Sequence, residues 1–161
     1  DTSLNNIAFT SHWDNFPDSL TIPVNAKATH AYLLMAGSTN PMQSRVTNGV
    51  VIFLYTDGSC DSLLLKNPEN WWPIEQDLYN DGFAFNTNAP RPLRISLKTG
   101  NEIGDKETSI SNNRGKMIDG GAATVLDIPL NASKQLKSLT LKTIANDVII
   151  GLMGITLLVD K

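Results

Sequence analysis

Two short segments of the chain combine tryptophan with carboxylate and amide side chains. The first is HWDNF at residues 12–16, and the second is NPENWWPIEQD at residues 67–77. Sugars present apolar C–H faces and hydroxyl edges, so they are held by aromatic stacking together with hydrogen bonds from carboxylates, amides and guanidinium groups. The composition of these segments, above all the second, therefore indicates contact with carbohydrate.

The adjacent pair Trp71 and Trp72 offers a stacking surface. Neighbouring residues of a strand point to opposite faces, so in a strand one indole would pack inward and the other would lie open at the surface. We assign the exposed position to Trp72. Arg45 joins the set because it follows a turn rich in Gly, Asn and Pro, from which it could recognise a carboxylate or a ring oxygen. The predicted ligand-binding residues are Trp13, Asp14, Asn15, Arg45, Asn70, Trp72 and Glu75.

An enzymatic interpretation depends on two carboxylates. Glu75 and Asp77 are two positions apart, which on an extended strand puts both on one face, roughly 6.5–7 Å from each other. That separation is near the one found in inverting glycosidases, although two acids on a strand face are mostly solvated. The chain has no HExxH, GxSxG or GxxxxGK[ST] motif, and His12 and His30 are too few for a three-histidine zinc site. The sequence predicts no catalytic residue, with hydrolysis by the carboxylate pair kept as an alternative.

Carboxylates in the predicted loops are compatible with a bound structural calcium ion, because Ca²⁺ prefers carboxylate and carbonyl oxygens. Asp14, Asp18, Asp57 and Asp119 are the candidate contributors, but none lies in a DxDxDG-like array. We therefore assign no metal ligand and no cofactor. The single cysteine, Cys60, has no cationic neighbour in sequence and is predicted to be a small packed hydrophobic side chain.

Composition and charge exclude several classes of partner. The chain of 161 residues carries 13 Lys and Arg against 16 Asp and Glu, so no basic field exists to bind nucleic acid or an anionic membrane surface. Its longest apolar stretch, residues 148–159, is well short of the ~20 residues that a membrane helix needs. The length predicts one domain over 1–161. Because the chain begins at Asp1 with no signal-like segment, we expect a processed product or a piece of a larger protein.

The elements that must position these residues are strands and turns. Residues 19–25 alternate apolar and polar side chains with a period of two, and residues 50–56 are β-branched and aromatic. Asp57 and Gly58 form a strong hairpin signal before a returning strand at 60–66. No window predicts a convincing helix, and the polar stretch 99–121 is predicted to be a long loop. The fold class predicted is all-β, a jelly-roll β-sandwich of two antiparallel sheets.

Four stretches of the chain resemble galactose-binding-like β-sandwich domains that are appended to large secreted bacterial glycoside hydrolases. They are THAYLLMAGSTN at 29–40, NGVVIFLYTDGS at 48–59, NPENWWPIEQD at 67–77 and LKSLTLKTIANDVIIGLMGITLL at 136–158. More narrowly, the combination is similar to the C-terminal domain of an uncharacterised family of large polysaccharide-utilisation proteins. The resemblance implies a jelly roll whose loops at one end contact sugar or pack on a neighbouring catalytic domain. It also implies a periplasmic or extracellular location.

Two functions are therefore expected, in addition to the enzymatic alternative. The first is a non-catalytic accessory domain that binds glycan weakly, at about 10⁻⁴ M, and presents a concave groove of polar and aromatic residues. The second is a structural module whose Trp72, Tyr79, Phe83 and Phe85 pack on another domain of the same polypeptide. The second function requires a contiguous apolar patch larger than the roughly 300–600 Å² typical of monomers.

Overall fold

The computed structural model describes residues 6–39, 43–77, 90, 92–103, 109–110 and 116–159. These ranges contain β-strands joined by turns, with no α-helix among them. In chain order the strands are β1 (Ala8–Ser11), β2 (Ser19–Ala26), β3 (His30–Ser38), β4 (Thr47–Tyr55), β5 (Cys60–Lys66), β6 (Gln76–Asp77), β7 (Leu93–Ser96), β8 (Ser109–Ile110), β9 (Lys116–Met117), β10 (Ala122–Pro129), β11 (Leu136–Thr143) and β12 (Ile149–Leu158).

The strands form two main antiparallel sheets and one small one. The five-stranded sheet has the order β1-β12-β3-β10-β7, and the four-stranded sheet has the order β2-β11-β4-β5. A three-stranded sheet, β6-β9-β8, is built from two-residue strands. The prediction of an all-β fold with two antiparallel sheets is confirmed, and the sheets do not close into a barrel.

The core lies between the two main sheets and follows the period of two. In β3, Leu33 and Met35 are completely buried, and in β4 the same holds for Val51, with Phe53 almost so. Side chains from both sheets join one buried cluster, which also includes residues of β10, β11 and β12. Alternation within each strand therefore decides which half of its side chains is removed from water.

The β4–β5 hairpin forms where Asp57 and Gly58 predict it. Gly58 adopts a positive φ of 84°, and the N–H of Tyr55 donates to the carbonyl of Ser59 across the turn at 2.9 Å. Cys60, at the start of the returning strand, is exposed. Its predicted role as a packed hydrophobic side chain is wrong, because β5 is an edge strand and Cys60 faces away from the core.

Several connections gather at one end of the sandwich, called here the loop end. The last residue of β1 pairs with the first residue of β12, and the last residue of β11 pairs with Gly49 near the start of β4. The last residue of β5 pairs with Thr47, the first residue of β4. The connections 12–18, 43–46, 67–75 and 144–148 therefore meet there. The hydroxyls of Thr10 and Thr143 bond to each other at 2.8 Å, and Ser11 Oγ donates to the carbonyl of Val148 at 3.0 Å. The first bond joins the two sheets and the second holds the 144–148 connection on β1, both at the loop end, where all seven predicted ligand-binding residues lie.

Candidate functional site

The tryptophan pair is enclosed in the interior. Trp71 is 0% exposed and Trp72 is 1% exposed. The segment 67–75 contains turns rather than a strand, so the alternation that would have exposed one indole does not operate there. Trp72 Nε1 donates to the carbonyl of Pro68 at 2.6 Å. The prediction that Trp72 is an exposed sugar platform is therefore wrong.

Arg94 holds this segment in place, and the sequence analysis did not identify that role. The side chain is 1% exposed, and its guanidinium carbon lies 5.4 Å from the centroid of the Trp72 ring. Nη1 donates to the carbonyl of Gln76 at 2.7 Å, and Nη2 donates to those of Pro73 and Ala122 at 2.9 and 3.0 Å. A buried guanidinium needs such acceptors. The alternation in sequence points the other way, because Leu93 and Leu97 are the apolar neighbours in phase with each other, yet both are exposed while Arg94 is buried.

Asn70 and Glu75 lie in the same segment as Trp72, residues 67–75, which is called here the packed segment. Asn70 Oδ1 accepts the N–H of Lys66 at 2.9 Å, and Nδ2 donates to the carbonyl of Leu64 at 3.0 Å, so both ends of the amide close a turn. Glu75 is half-buried, and its carbonyl accepts the N–H of Ile118 at 2.9 Å. The side chain of Asp77 lies outside the described part of the structure. The Glu75–Asp77 catalytic pair therefore stays a prediction.

Trp13 presents an exposed indole at the loop end. The side chain is 48% exposed, and Nε1 donates to Asp147 Oδ1 at 3.0 Å. Asp14 and Asp147 both have a positive φ, of 49° and 55°, a conformation that aspartate tolerates better than most residues. His12 Nε2 lies 3.0 Å from the carbonyl of Thr143, which ties the same loop to β11. The indole is consequently fixed in orientation while its ring faces solvent.

Asn15 and Arg45 are exposed, as Trp13 and Asp14 are. Arg45 also has a positive φ, of 62°, and its N–H donates to the carbonyl of Asn67 at 2.8 Å. The predicted site residues thus separate into three groups. Trp13, Asp14 and Asn15 are open to solvent on the 12–18 connection, and we call them the Trp13 patch, while Arg45 is open to solvent on the 43–46 connection. The packed segment holds Asn70, Trp72 and Glu75.

A concave apolar surface lies on the outer face of the five-stranded sheet. Because Ile150 and Leu152 of β12 point into the core, Ile149 and Met153 point outward. The resulting groove, about 690 Å³ in volume, is called here the apolar groove, and it is lined mainly by Ile7, Phe9, Phe16, Ile74, Leu97 and Met153. None of the described residues that line it is ionisable.

Aromatic and aliphatic side chains of the apolar groove are open to water. Phe9 and Phe16 meet edge to face, with centroids 5.0 Å apart. Phe16 is 48% exposed, and Ile7 is 49% exposed. The sequence analysis did not identify this surface, because it weighed residues 148–159 only against the length of a membrane helix. The signal was present, since residues 148–159 are almost continuously apolar, whereas a half-buried strand alternates.

A polar cluster closes the opposite end of the sandwich. Lys134 Nζ lies 3.0 Å from Asp57 Oδ2 and donates to Ser59 Oγ at 2.6 Å. Hydrogen bonds from the Ser59 hydroxyl and N–H, followed by that of Lys134, lower the pKa of Asp57 to about 2. Burial and a hydrogen bond to Asp61 raise the pKa of Tyr55. This cluster joins the β4–β5 hairpin to the 130–135 turn, and all its carboxylates have protein partners.

Metal ligands do not converge in the described ranges. No three His, Cys, Asp or Glu side chains among those residues come close enough to hold an ion. The calcium contributors named from the sequence are also spread over both ends of the sandwich. Asp14 and Asp18 follow β1 at the loop end, Asp57 belongs to the opposite hairpin, and Asp119 pairs with Lys98.

Comparison of the chain with protein-family models, with curated proteins and with solved structures gave no match. Among the residues that the structure describes, no helix has the length and apolarity needed to cross a bilayer.

Proposed function

We propose that this β-sandwich is a non-catalytic accessory module of a larger carbohydrate-processing protein, and that its apolar groove packs on a neighbouring domain of the same polypeptide. The observation that carries the proposal is the concave, uncharged outer face of the five-stranded sheet. A glycan site of the expected kind would be a concavity lined by polar and aromatic groups. The described residues that line this groove are aliphatic, aromatic or glycine, with Asn6 as the polar exception.

The pattern of β12 supports a covered outer face. A strand with one face in water alternates polar and apolar side chains, whereas a strand buried on both faces is continuously apolar. In β12, Ile150 and Leu152 supply the inner face, and Ile149 and Met153 supply the outer one. Selection for solubility alone would not place large apolar side chains on both faces. A partner domain that covers the groove accounts for the second apolar face.

The energetics of packing suit this surface. Burying a Phe, Ile or Met side chain contributes about 1.5–3 kcal/mol, and a groove without charges requires no ion to be desolvated. Interfaces between domains of one chain typically bury about 600–1,500 Å². The groove and its exposed rim at Ile7 and Phe16 would form this domain's part of such an interface. The docked domain would use its own apolar side chains as the complementary surface.

The test is binding between this domain and the adjacent domain of the parent polypeptide, supplied as a separate chain and measured by calorimetry. We expect Phe16→Ser to weaken the association at least tenfold, which corresponds to about 1.4 kcal/mol. Leu64→Ser is the matched control, because Leu64 is also an exposed apolar residue, at 45%, but lies on the other sheet. Equal affinity of the two variants, or no association of the unmodified domains, would contradict the proposal.

A second candidate function is weak glycan contact at the Trp13 patch. The specific observation in its favour is the Trp13 indole, which is half exposed and is held by its hydrogen bond to Asp147. A ring fixed in this way loses little side-chain entropy when a sugar stacks on it. Asp14 and Asn15 would supply hydrogen bonds to hydroxyl groups, with an affinity of about 10⁻⁴ M.

A glycan panel screened by NMR chemical-shift perturbation tests this candidate. We expect saturable shifts in the Trp13 indole resonance, a loss of at least tenfold in affinity for Trp13→Ala, and partial retention for Trp13→Phe, which keeps a stacking face. Leu158→Ala, which removes an exposed side chain at the far end of β12, should leave binding unchanged. Absence of saturable binding to every glycan, or equal affinity for Trp13→Ala and the unmodified protein, would exclude the Trp13 patch as a sugar site.

A further inference from the structure

Two completely buried side chains of the 67–71 turn keep polar atoms that no described protein group satisfies. Asn67 is 0% exposed, and neither its Oδ1 nor its Nδ2 has a hydrogen-bond partner. Trp71 is also 0% exposed, and its Nε1 lacks a partner as well. Together they present one acceptor and two donor groups to the interior.

The backbone fixes where these side chains lie. The carbonyl of Asn67 accepts the N–H of Arg45 at 2.8 Å, and the N–H of Trp71 donates to the carbonyl of Lys66 at 3.1 Å. Asn67 also bridges Ser44 on the neighbouring connection. Both residues therefore leave a turn that is anchored on two sides, with their side chains directed into the loop end of the core.

The Trp71 ring cannot turn to find a protein partner. It packs so closely on Gly37 that a Cβ atom built there would lie 2.9 Å from ring atoms Cζ2 and Cη2. Nε1 belongs to the same edge of the indole as Cζ2, so its direction is set by this contact. The absence of a side chain at Gly37 is what gives the indole its place.

Buried polar groups in folded proteins are almost always bonded to protein or to ordered water. Internal waters typically make about three hydrogen bonds to groups that would otherwise be unsatisfied. An indole N–H can only donate, which disfavours a cation, and neither Asn67 nor Trp71 carries a charge that would hold an anion. Water both accepts and donates, and so matches an indole N–H, an amide N–H and an amide oxygen. We propose that ordered water is bound in the interior at the loop end, hydrogen-bonded to Trp71 Nε1 and to the Asn67 amide.

This water would be a structural part of the loop end. It would complete the hydrogen bonding of the turn that carries Asn70 and Trp72, so the position of the packed segment would depend on it. The inference stands independently of the proposed packing and glycan functions, because it concerns groups that neither function uses.

The experiment is detection of water contacts by NMR on the full ¹⁵N-labelled chain. We expect the Trp71 indole N–H and the Asn67 side-chain NH₂ to show nuclear Overhauser contacts with long-lived water. The chain supplies a matched control for each. Trp72 is equally buried but donates to Pro68, and buried Asn48 donates through Nδ2 to the carbonyls of Gln43 and Val46 at 2.8 and 3.1 Å. Neither control should show a water contact.

Resonances are assigned by replacing each tryptophan with phenylalanine in turn, and Asn67→Leu removes the polar partner at position 67. In Asn67→Leu we expect loss or weakening of the Trp71 water contact while the Trp72 signal is unchanged. The proposal is overturned if the unmodified protein shows no water contact at Trp71 and Asn67, or shows contacts of the same strength at Trp72 and Asn48. The measurement on the unmodified protein is decisive even if Asn67→Leu does not fold.

Discussion

Arg94 makes more buried contacts than its position on an edge strand would suggest. It lies on a short edge strand, yet its guanidinium is buried against Trp72 and donates to carbonyls of the packed segment, of β6 and of β10. The planar fork of arginine satisfies several acceptors at once, which lysine cannot do with the same geometry. The burial of Trp72 and the burial of Arg94 are thus one arrangement.

Replacing Arg94 with methionine tests that arrangement. Arg94→Met keeps much of the side-chain volume but leaves buried carbonyls of Pro73, Gln76 and Ala122 without their donor. We expect a loss of about 2–4 kcal/mol in the free energy of unfolding, measured by urea denaturation. The matched change Lys137→Met, at an exposed position of β11, should stay within about 0.5 kcal/mol. Equal stabilities of the two variants would show that the Arg94 hydrogen bonds contribute little.

Asp57 carries the clearest dependence on pH. Its pKa is lowered from 3.8 to about 2, chiefly by the Ser59 hydroxyl and N–H and then by Lys134. A folded-state pKa below the unfolded value stabilises the ionised form, so this contribution is present above pH 3.8 and is lost as the pH falls towards 2. We expect Asp57→Asn to flatten the dependence of unfolding free energy on pH in that window. Ser59→Ala should narrow the pH range over which this stability is lost, because it removes one hydrogen bond that lowers the pKa of Asp57. If the unfolding free energy of Asp57→Asn depends on pH as steeply as that of the unmodified protein, the assignment to Asp57 is contradicted.

At the scale of the elements, strands and their hairpin behave as their local patterns dictate. The returning arm predicted at 60–66 coincides with β5, and the alternating stretch 19–25 coincides with β2 apart from one residue. β12 pairs with β3 through an irregular register between Leu152 and Gly154. Two segments depart from prediction. The stretch 99–121, predicted to be one long loop, contains the short strands β8 and β9. The packed segment is buried although it was expected to expose one indole, because turns have no side-chain period to extrapolate.

Two glycines of the paired strands β3 and β12 differ in how much room each has for a side chain. A Cβ at Gly37 would lie 1.9 Å from the carbonyl oxygen of Ile149, whereas at Gly154 the nearest atom would be Leu34 Cβ at 3.9 Å. We therefore expect Gly37→Ala to lower the free energy of unfolding by about 1–3 kcal/mol or more, because the backbone must move. Gly154→Ala should change it by about 0.5 kcal/mol at most. Thermal melts of the two variants compare them directly, and coincident midpoints would refute the close-approach argument.

At the scale of the whole molecule, one core couples the two sheets. The main buried cluster includes residues of β3, β10 and β12 on one side and of β4 and β11 on the other. The outer surfaces differ from each other, since the five-stranded sheet carries the apolar groove while the loop end carries the Trp13 patch. In the proposed function the groove packs on a neighbouring domain, and in the second candidate function the patch contacts glycan.

A shared core predicts cooperative unfolding. We expect a single transition, with far-UV circular dichroism and tryptophan fluorescence coincident in urea, because neither sheet keeps a buried face without the other. The fluorescence reports the three tryptophans, all at the loop end and two of them buried, while circular dichroism reports the strands throughout. Two separated transitions would mean that the packed segment unfolds independently, and would contradict the prediction of one domain over 1–161.

The sequence by itself determined the all-β class, the hairpin at Asp57 and Gly58, and most strands, because side-chain alternation and turn chemistry are local properties that survive without knowledge of distant partners. The seven predicted site residues lie in connections that meet at the loop end, whereas Trp72 and Glu75 were expected on strands. Only the tertiary structure decided which of them are accessible. Trp72 is buried because Arg94 packs on its ring from β7, and Trp13 is exposed because Asp147 holds it at the rim. Burial outside regular strands depends on long-range contacts, and a linear pattern does not contain them.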